Sequence, residues 1–499
     1  MTSLAHWRPS LLAPPRAFLV FVLLSLQTVA HLPIALGPDS WTPFFTFLSI
    51  AIWLLWFAVL FLIAIPSTDA WLRPNLNRLK WAAMVIGVIL ALMGTVEVVG
   101  VNLLETGRIE TRGRGLQTAS SYTQQFGYND GTALTHAAGD ALLDGHNPYS
   151  GVAFHDAFDR FGLTGAGATP LRQGAFDDAW PYPAREERQA LWEDQKNNGE
   201  NDPVEFETRV SYPAGSFLFA APYLGLGLED LRYFYLACAI LAFGAVLRWS
   251  GKELWPLVLL VALASLEFWN DIASGGTGSL YLLFLLVGWL TLRKNFWVSA
   301  SFMGLAVASK QLAWFFLPFY LVLLLRTFGL KKCLQAVAVV GGSFLIINLA
   351  FIVDDPGNWF KCVFAPLIDP MFPRGVGFVN FSLIGLVPAG NHLVYAVAEA
   401  LVLGLCLLWY FFNCRRYPHA GLVLAVLPLF FAWRSYSTYL YPAAILVFAA
   451  VMADWKIQGG GSDSMVRHGP AWRERFNQAR HSMGLGWSLG RRRFRFHEG

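Results

Sequence analysis

Long apolar runs separated by short polar breaks dominate this chain, and they set its element count. Helix-like runs fall at 17–36, 43–65, 80–104, 230–247, 254–270, 276–292, 297–311, 312–327, 333–353, 392–412, 419–433 and 438–454. Several approach or exceed the roughly 18–20 apolar residues that cross hydrocarbon. A shorter apolar piece at 213–226 carries Pro213 and Pro222. Its length and its prolines predict a re-entrant or half-crossing segment, because broken backbone at membrane depth is tolerated where it lines a protein cavity. The in–out alternation of barrel strands is absent. The pattern predicts an all-α polytopic membrane protein with about 12–13 transmembrane or re-entrant helices and a long first extracytoplasmic loop carrying short helices.

Composition agrees. Of 499 residues, 55% are hydrophobic and 14% charged, against about a quarter charged in soluble proteins. The run from Ala17 to Leu36 follows Arg8 and Arg16. Thr28-Val29-Ala30 offers a small residue for cleavage, but a second hydrophobic segment follows at once, so an uncleaved first helix is expected. The five cysteines (Cys238, Cys333, Cys362, Cys406, Cys414) show no CxxC spacing and read as small apolar residues.

Charge gives the orientation. Arg73, Arg78, Lys80, Arg248, Lys252, Arg293, Lys294, Arg326, Lys331, Lys332, Arg415 and Arg416 mark short loops expected in the cytoplasm. The tail after Trp455 holds nine Lys/Arg against three acidic residues, interleaved with Trp and Phe. That composition suits an anionic leaflet; a disordered tail that only fixes topology fits equally well. Segment 105–212 holds seventeen Asp/Glu against nine Lys/Arg and is expected on the periplasmic or exterior side. The chain thus divides into N-terminal spans (1–104), an outer loop (105–212), a transmembrane core with a second outer loop at 354–380 (213–455) and a basic tail (456–499). Within the first loop, helices are expected at 131–143 and 183–197, and Tyr149, Trp180, Tyr182 and Trp192 argue for order. The resulting localisation is a multi-pass plasma (inner) membrane protein.

Candidate chemistry is sparse. There is no Walker A sequence and no GxGxxG after a strand, so an activated substrate would have to come from the membrane. No HExxH or paired Cys/His spacing is present, and His136, His146 and His155 are too few ligands for a metal site. Nothing calls for a metal, a cofactor or a nucleic-acid partner. Asp130 sits in an Asn-Asp-Gly turn and could equally cap the helix that follows. Asp140 and Asp144 read as a solvated helix face.

The stretch Tyr128–Tyr149, with Asp130, an Ala- and Gly-bearing helix and Gly145-His146-Asn147-Pro148-Tyr149, resembles the first outer loop of GT-C glycosyltransferases. These multi-spanning enzymes use polyprenyl-phosphate sugars, and the match is nearest to the mannose-donor branch. Ser211-Tyr212-Pro213-Ala214 resembles the family's re-entering Tyr-Pro-Pro-Leu segment, with Ala214 for the second proline. Asn270-Asp271-Ile272-Ala273-Ser274-Gly275-Gly276 falls where the family has a Gly-Gln-Asn turn, without its Gln and Asn. Lys310-Gln311 is similar to a Lys-Pro pair, Asn380-Phe381-Ser382-Leu383 to Asn-Gln-Ser-Leu, and Trp433-Arg434-Ser435-Tyr436 to a Trp/His motif lacking its His. The similarity covers about 125–455, leaving two extra helices before residue 80.

The resemblance implies a GT-C-like inverting transferase. Asp130 would be the base for an acceptor hydroxyl. Lys310, Arg434 and Arg374 would meet the donor phosphate; snorkelling to the interface is the alternative for each. His136, His146, Asn147, Tyr149, Tyr212, Asp271, Gln311, Asn380 and Tyr436 are the candidate substrate-binding residues. The implied partners are membrane lipids, a polyprenyl-phosphate sugar and a glycan, glycolipid or protein acceptor. A transporter or flippase of lipid-linked saccharides would also use broken helices and buried charge, but it usually shows internal repeats and none is found. A non-catalytic scaffold would leave Asp130, Lys310 and Arg434 dispersed.

Overall fold

The computed structural model describes residues 13–36, 42–105, 127–150, 152–200, 202–387 and 392–457. The start of the long loop and the basic tail lie outside the described residues, and so do the expectations that fall on them.

The first spans are α1 (Leu19–Leu36), α2 (Thr42–Ala64), a short α3 (Thr68–Leu72) and α4 (Leu76–Glu105). A layer of short helices follows: α5 (Asp130–Leu143), α6 (Phe154–Arg160), α7 (Arg185–Asn197), α8 (Gly215–Leu218) and α9 (Ala221–Gly225). The chain then returns to the bundle as α10 (Leu231–Trp249), α11 (Trp255–Ala264), α12 (Leu266–Ala273), α13 (Gly278–Thr291), α14 (Phe296–Ser309), α15 (Phe316–Phe328) and α16 (Leu330–Asp354). The next long loop holds α17 (Pro356–Val363), α18 (Ala365–Ile368), β1 (Arg374–Gly375) and α19 (Asn380–Leu383). Last come α20 (His392–Asn413), α21 (Ala420–Leu424), β2 (Arg434–Ser435) and α22 (Ser437–Ile457).

Among the described residues, seven helices are long and apolar enough to cross a membrane. One bent pair and four shorter apolar helices bring the apolar segments to twelve. The fold is therefore an all-α polytopic membrane protein. The expected segments are present, but several are not the single full-length spans that the runs suggested. Run 254–270 is a helix pair bent by 52°. Its break is at Ser265, whose hydroxyl bonds back to the Val261 carbonyl at 2.7 Å, a contact that bends helices. Run 419–433 breaks after α21, because Pro428 has no N–H to continue the ladder and opens a separate turn at Pro428–Phe431. The 213–226 piece is the pair α8 and α9, neither long enough to cross. In the outer layer α6 was not foreseen; its seven residues, Phe154–Arg160, mix apolar and charged positions too briefly to show a period.

Burial sorts the spans. The window within Ser437–Lys456 is 78% buried, so α22 is the central helix, whereas those of α20 and Thr68–Val96 are 17% buried and face lipid. An all-round apolar helix is what a buried centre requires. The outer layer has its own aromatic core: Phe154, Phe158, Trp192 and Phe206 pack with Phe217 and Phe351. Phe154 and Trp192 meet edge to face at 5.1 Å. This core explains why so polar a loop is ordered. With crossings alternating in direction, the outer layer, the α12–α13 turn, Lys310, Arg374 and Arg434 gather at one end of the bundle.

Candidate active site

The start of α5 is built by local chemistry. Asn129 caps it, its side chain accepting the Thr132 N–H at 2.8 Å. Asp130 is thus the first helical residue rather than the cap, and a carboxylate there is favoured by the helix dipole. One carboxylate oxygen accepts the Gly131 N–H at 2.8 Å, and the other accepts the Thr169 hydroxyl. The group is half-buried, held by two donors and still open on one side.

This helix end docks on the turn between α12 and α13. The Thr132 hydroxyl donates to the Gly275 carbonyl. Gly275 has φ +77°, and a Cβ built there would lie 2.9 Å from the Asn129 nitrogen and 3.0 Å from the Gly127 oxygen. Only glycine fits that backbone and that approach. Next to it the Asp271 carboxylate lies where a Cβ on Gly276 would be, 2.1 Å from its nearest oxygen, and takes the Tyr441 hydroxyl at 2.7 Å.

Tyr212 joins these parts. Its hydroxyl lies 2.9 Å from where a Gly131 Cβ would be. Lys310 sits over its ring at 5.1 Å and over the Tyr281 ring at 5.7 Å, while its ammonium donates to Thr277 at 2.6 Å. Burial pushes the Tyr212 phenol up to about 12, and the Asp130 charge adds to this; the neighbouring Thr277 hydroxyl and Arg434 act in the opposite direction. Lys310, Thr277, Ser216 and Ser309 line a narrow crevice. Clamps fix the Tyr212 backbone: the Tyr149 hydroxyl donates to its carbonyl at 2.9 Å, and Gln311 donates to Ser211 and Val363 carbonyls at 2.6 and 2.7 Å.

The arginines form the other wall. β1 and β2 pair in parallel, with Arg374 in register with Arg434 and Gly375 with Ser435. Like charges directly opposite are destabilising unless something negative lies between them. Arg434 donates to the Tyr436 hydroxyl at 2.5 Å and to the Met371 sulfur, a weak acceptor, and its buried Nε has no partner among the described residues. Arg374 and Arg188 lie over the Tyr182 ring, each at 5.2 Å. None of these three arginines pairs with a carboxylate among the described residues.

Asp130, Tyr212, Asp271, Lys310, Arg434, Tyr436 and Arg374 therefore share one end of the bundle, linked through Tyr212 and the arginine pair. Other candidates lie elsewhere or serve the frame. His136 is buried between Tyr128, whose hydroxyl is 3.1 Å away, and Phe161. His146 is exposed on the turn after α5. Asn147 donates to Asp354 at 2.7 Å, tying the turn after α5 to the end of α16. Tyr149 and Gln311 act on backbone. Asn380 is buried beside the Gly377 turn, its side-chain nitrogen without a partner among the described residues. Thr169, Thr277, Tyr182, Arg188 and Tyr441 adjoin these residues; no motif pointed to them, since Asp130, Lys310, Arg374 and Asp271, which they meet here, are far away along the chain. Among the described residues no group of His, Cys, Asp and Glu is arranged to hold a metal.

Residues 211–452 match the family model of glycosyltransferase family 87. The match indicates a glycosyltransferase, and the apolar helices make it a membrane one. Its span begins at the Tyr212 segment and takes in Asp271, Lys310, Arg374 and Arg434, while Asp130 lies before it. Comparison with curated proteins and with solved structures returns no match.

Proposed function

We propose that this membrane glycosyltransferase moves a sugar, mannose being the expected one, from a polyprenyl-phosphate donor to an acceptor hydroxyl on the extracytoplasmic side. The observation that supports this most is the meeting of one open carboxylate with an unpaired arginine pair across Tyr212. The acceptor O–H gives its proton to Asp130 as its oxygen attacks the anomeric carbon. The bond from that carbon to the phosphate oxygen breaks on the opposite face, its electron pair leaves with the polyprenyl phosphate, and configuration inverts. Thr169 and the Gly131 N–H orient the carboxylate for this role.

Arg434 and Arg374 receive the phosphate charge, with Arg188 behind them; guanidinium groups suit paired contacts to phosphate oxygens. Lys310 is shared between Thr277 and the nearby Asp271 and holds the Tyr212 ring in place, adding positive potential rather than a direct clamp. The test is incubation of the purified full chain, reconstituted in membranes, with radiolabelled polyprenyl-phosphate sugars. Consumption of one donor with label passing to an acceptor is expected. Label that crosses the bilayer on its original carrier, with no transfer, would overturn the proposal.

A further inference from the structure

The helices that start at this site end at a second cavity. α22 runs from beside Arg434 to Lys456, which at about 1.5 Å per residue separates its ends by roughly 30 Å. At the far end, residues from α10, α13, α15 and α22 line an open cleft. Its lining divides sharply by chemistry. Leu290, Leu323, Phe328 and Ala450 form an apolar wall, and Trp249 and Trp289 flank it. Arg293, Lys294 and Lys456 supply the cations.

The one acid in the lining does not neutralise them. Asp454 takes an Arg293 nitrogen at 2.7 Å and the His419 Nε2 at 2.8 Å. The Trp289 N–H donates to His419 Nδ1 at 3.3 Å, which leaves Nε2 to carry the proton shared with Asp454. Asp454 is thus occupied by Arg293 and His419. Lys294 has no ion-pair partner among the described residues, and Lys456 donates only to the Arg248 and Ser250 carbonyls, at 3.3 and 3.1 Å. The Thr327 hydroxyl, also in the lining, is buried with no hydrogen-bond partner among the described residues.

We propose that this cleft binds an anionic membrane lipid, with its phosphate headgroup between Lys294 and Lys456 and its acyl chains against the apolar wall. Basic pockets between spanning helices favour such headgroups. A free anion would use the cations and the hydroxyl but leave the apolar wall without an occupant, whereas a lipid uses both. The cleft is separate from the transfer site, so the proposal stands whether or not that chemistry is as described.

Native mass spectrometry of the full chain, titrated with phosphatidylglycerol or phosphatidylcholine, tests it. Preferential retention of one phosphatidylglycerol is expected, and Lys294→Glu should weaken it about tenfold or more, since each cation near the surface contributes to anionic-lipid attraction and this change reverses one. Equal retention of the two lipids, or unchanged binding by K294E, would overturn the proposal. So would displacement of the lipid by millimolar inorganic phosphate, which would mark a free-anion site. If K294E does not purify, the wild-type lipid preference and the phosphate competition decide the matter.

Discussion

Replacing Asp130 by Asn exchanges one oxygen for an NH₂ and removes a charge without changing shape. The structure bounds what the fold loses. Asn can still accept the Gly131 N–H, and the Thr169 hydroxyl can rotate to accept from the new amide. The cost to folding is then two charged hydrogen bonds exchanged for neutral ones, roughly 2 kcal/mol. The chemical cost is far larger, because an amide cannot take the acceptor's proton, and a positioned general base contributes typically about 10²–10⁴-fold. D130N should therefore elute and melt like the parent chain while its turnover of polyprenyl-phosphate sugar falls at least about a hundredfold. Initial rates in proteoliposomes at saturating donor measure this. Asp140→Asn is the control: Asp140 pairs with Arg160 and lies 3.5 Å from His136, away from the Tyr212 cluster, and its loss should leave turnover within about twofold. Near-normal turnover by D130N in a well-folded sample would refute the assignment, and loss in both variants would reduce Asp130 to a structural part of α5.

Arg434→Lys keeps the charge but loses the planar fork, so the KM for donor should rise about tenfold to a hundredfold with a smaller change in kcat; an unchanged KM would place the phosphate elsewhere. Gly275→Ala puts a methyl into backbone at φ +77° and 2.9 Å from Asn129 nitrogen; left-handed strain alone is about 1–2 kcal/mol, so both the melting temperature and turnover should drop, and a silent substitution would mean that α5 does not dock here. Burial, with Asp369 beside it, pushes the Glu207 carboxyl up to about 8, while Arg209 pulls it down. The folded chain therefore holds this proton more tightly than the unfolded one, and the stability it contributes is full below about pH 4.5 and lost as pH rises through about 8. Glu207→Gln should flatten melting temperature against pH between about 5 and 8; an unaltered slope would exclude Glu207 as its source.

Apolar runs made the bundle legible because every span must bury or expose a whole helix face, and a run of that length has few other uses. Helix breaks were harder to read. Pro428 could have been taken as one, since a proline inside a run removes a ladder bond, but Ser265 bends its helix through a side-chain bond that composition does not reveal. Of the site, Asp130 was visible through its Asn-Asp-Gly turn, although residues alone could not choose between cap and base. The structure shows Asn129 to be the cap. Arg188 and Thr169 were invisible for a plain reason: their roles depend on partners brought together from distant segments, Arg374 across Tyr182 in one case and Asp130 in the other. His136 and His146 are chemistry-bearing types, yet one is held between Tyr128 and Asp140 and the other faces outward.

Where the two cores meet around Asp130, the seam carries polar bonds, Thr132 to Gly275 and Gln311 to Ser211 and Val363, beside Tyr128 and Trp314, which pack against both cores. Each polar bond is a net of roughly 0.5–1.5 kcal/mol, and the apolar packing adds to it, so the start of α5 is held by shared side chains as well as by hydrogen bonds.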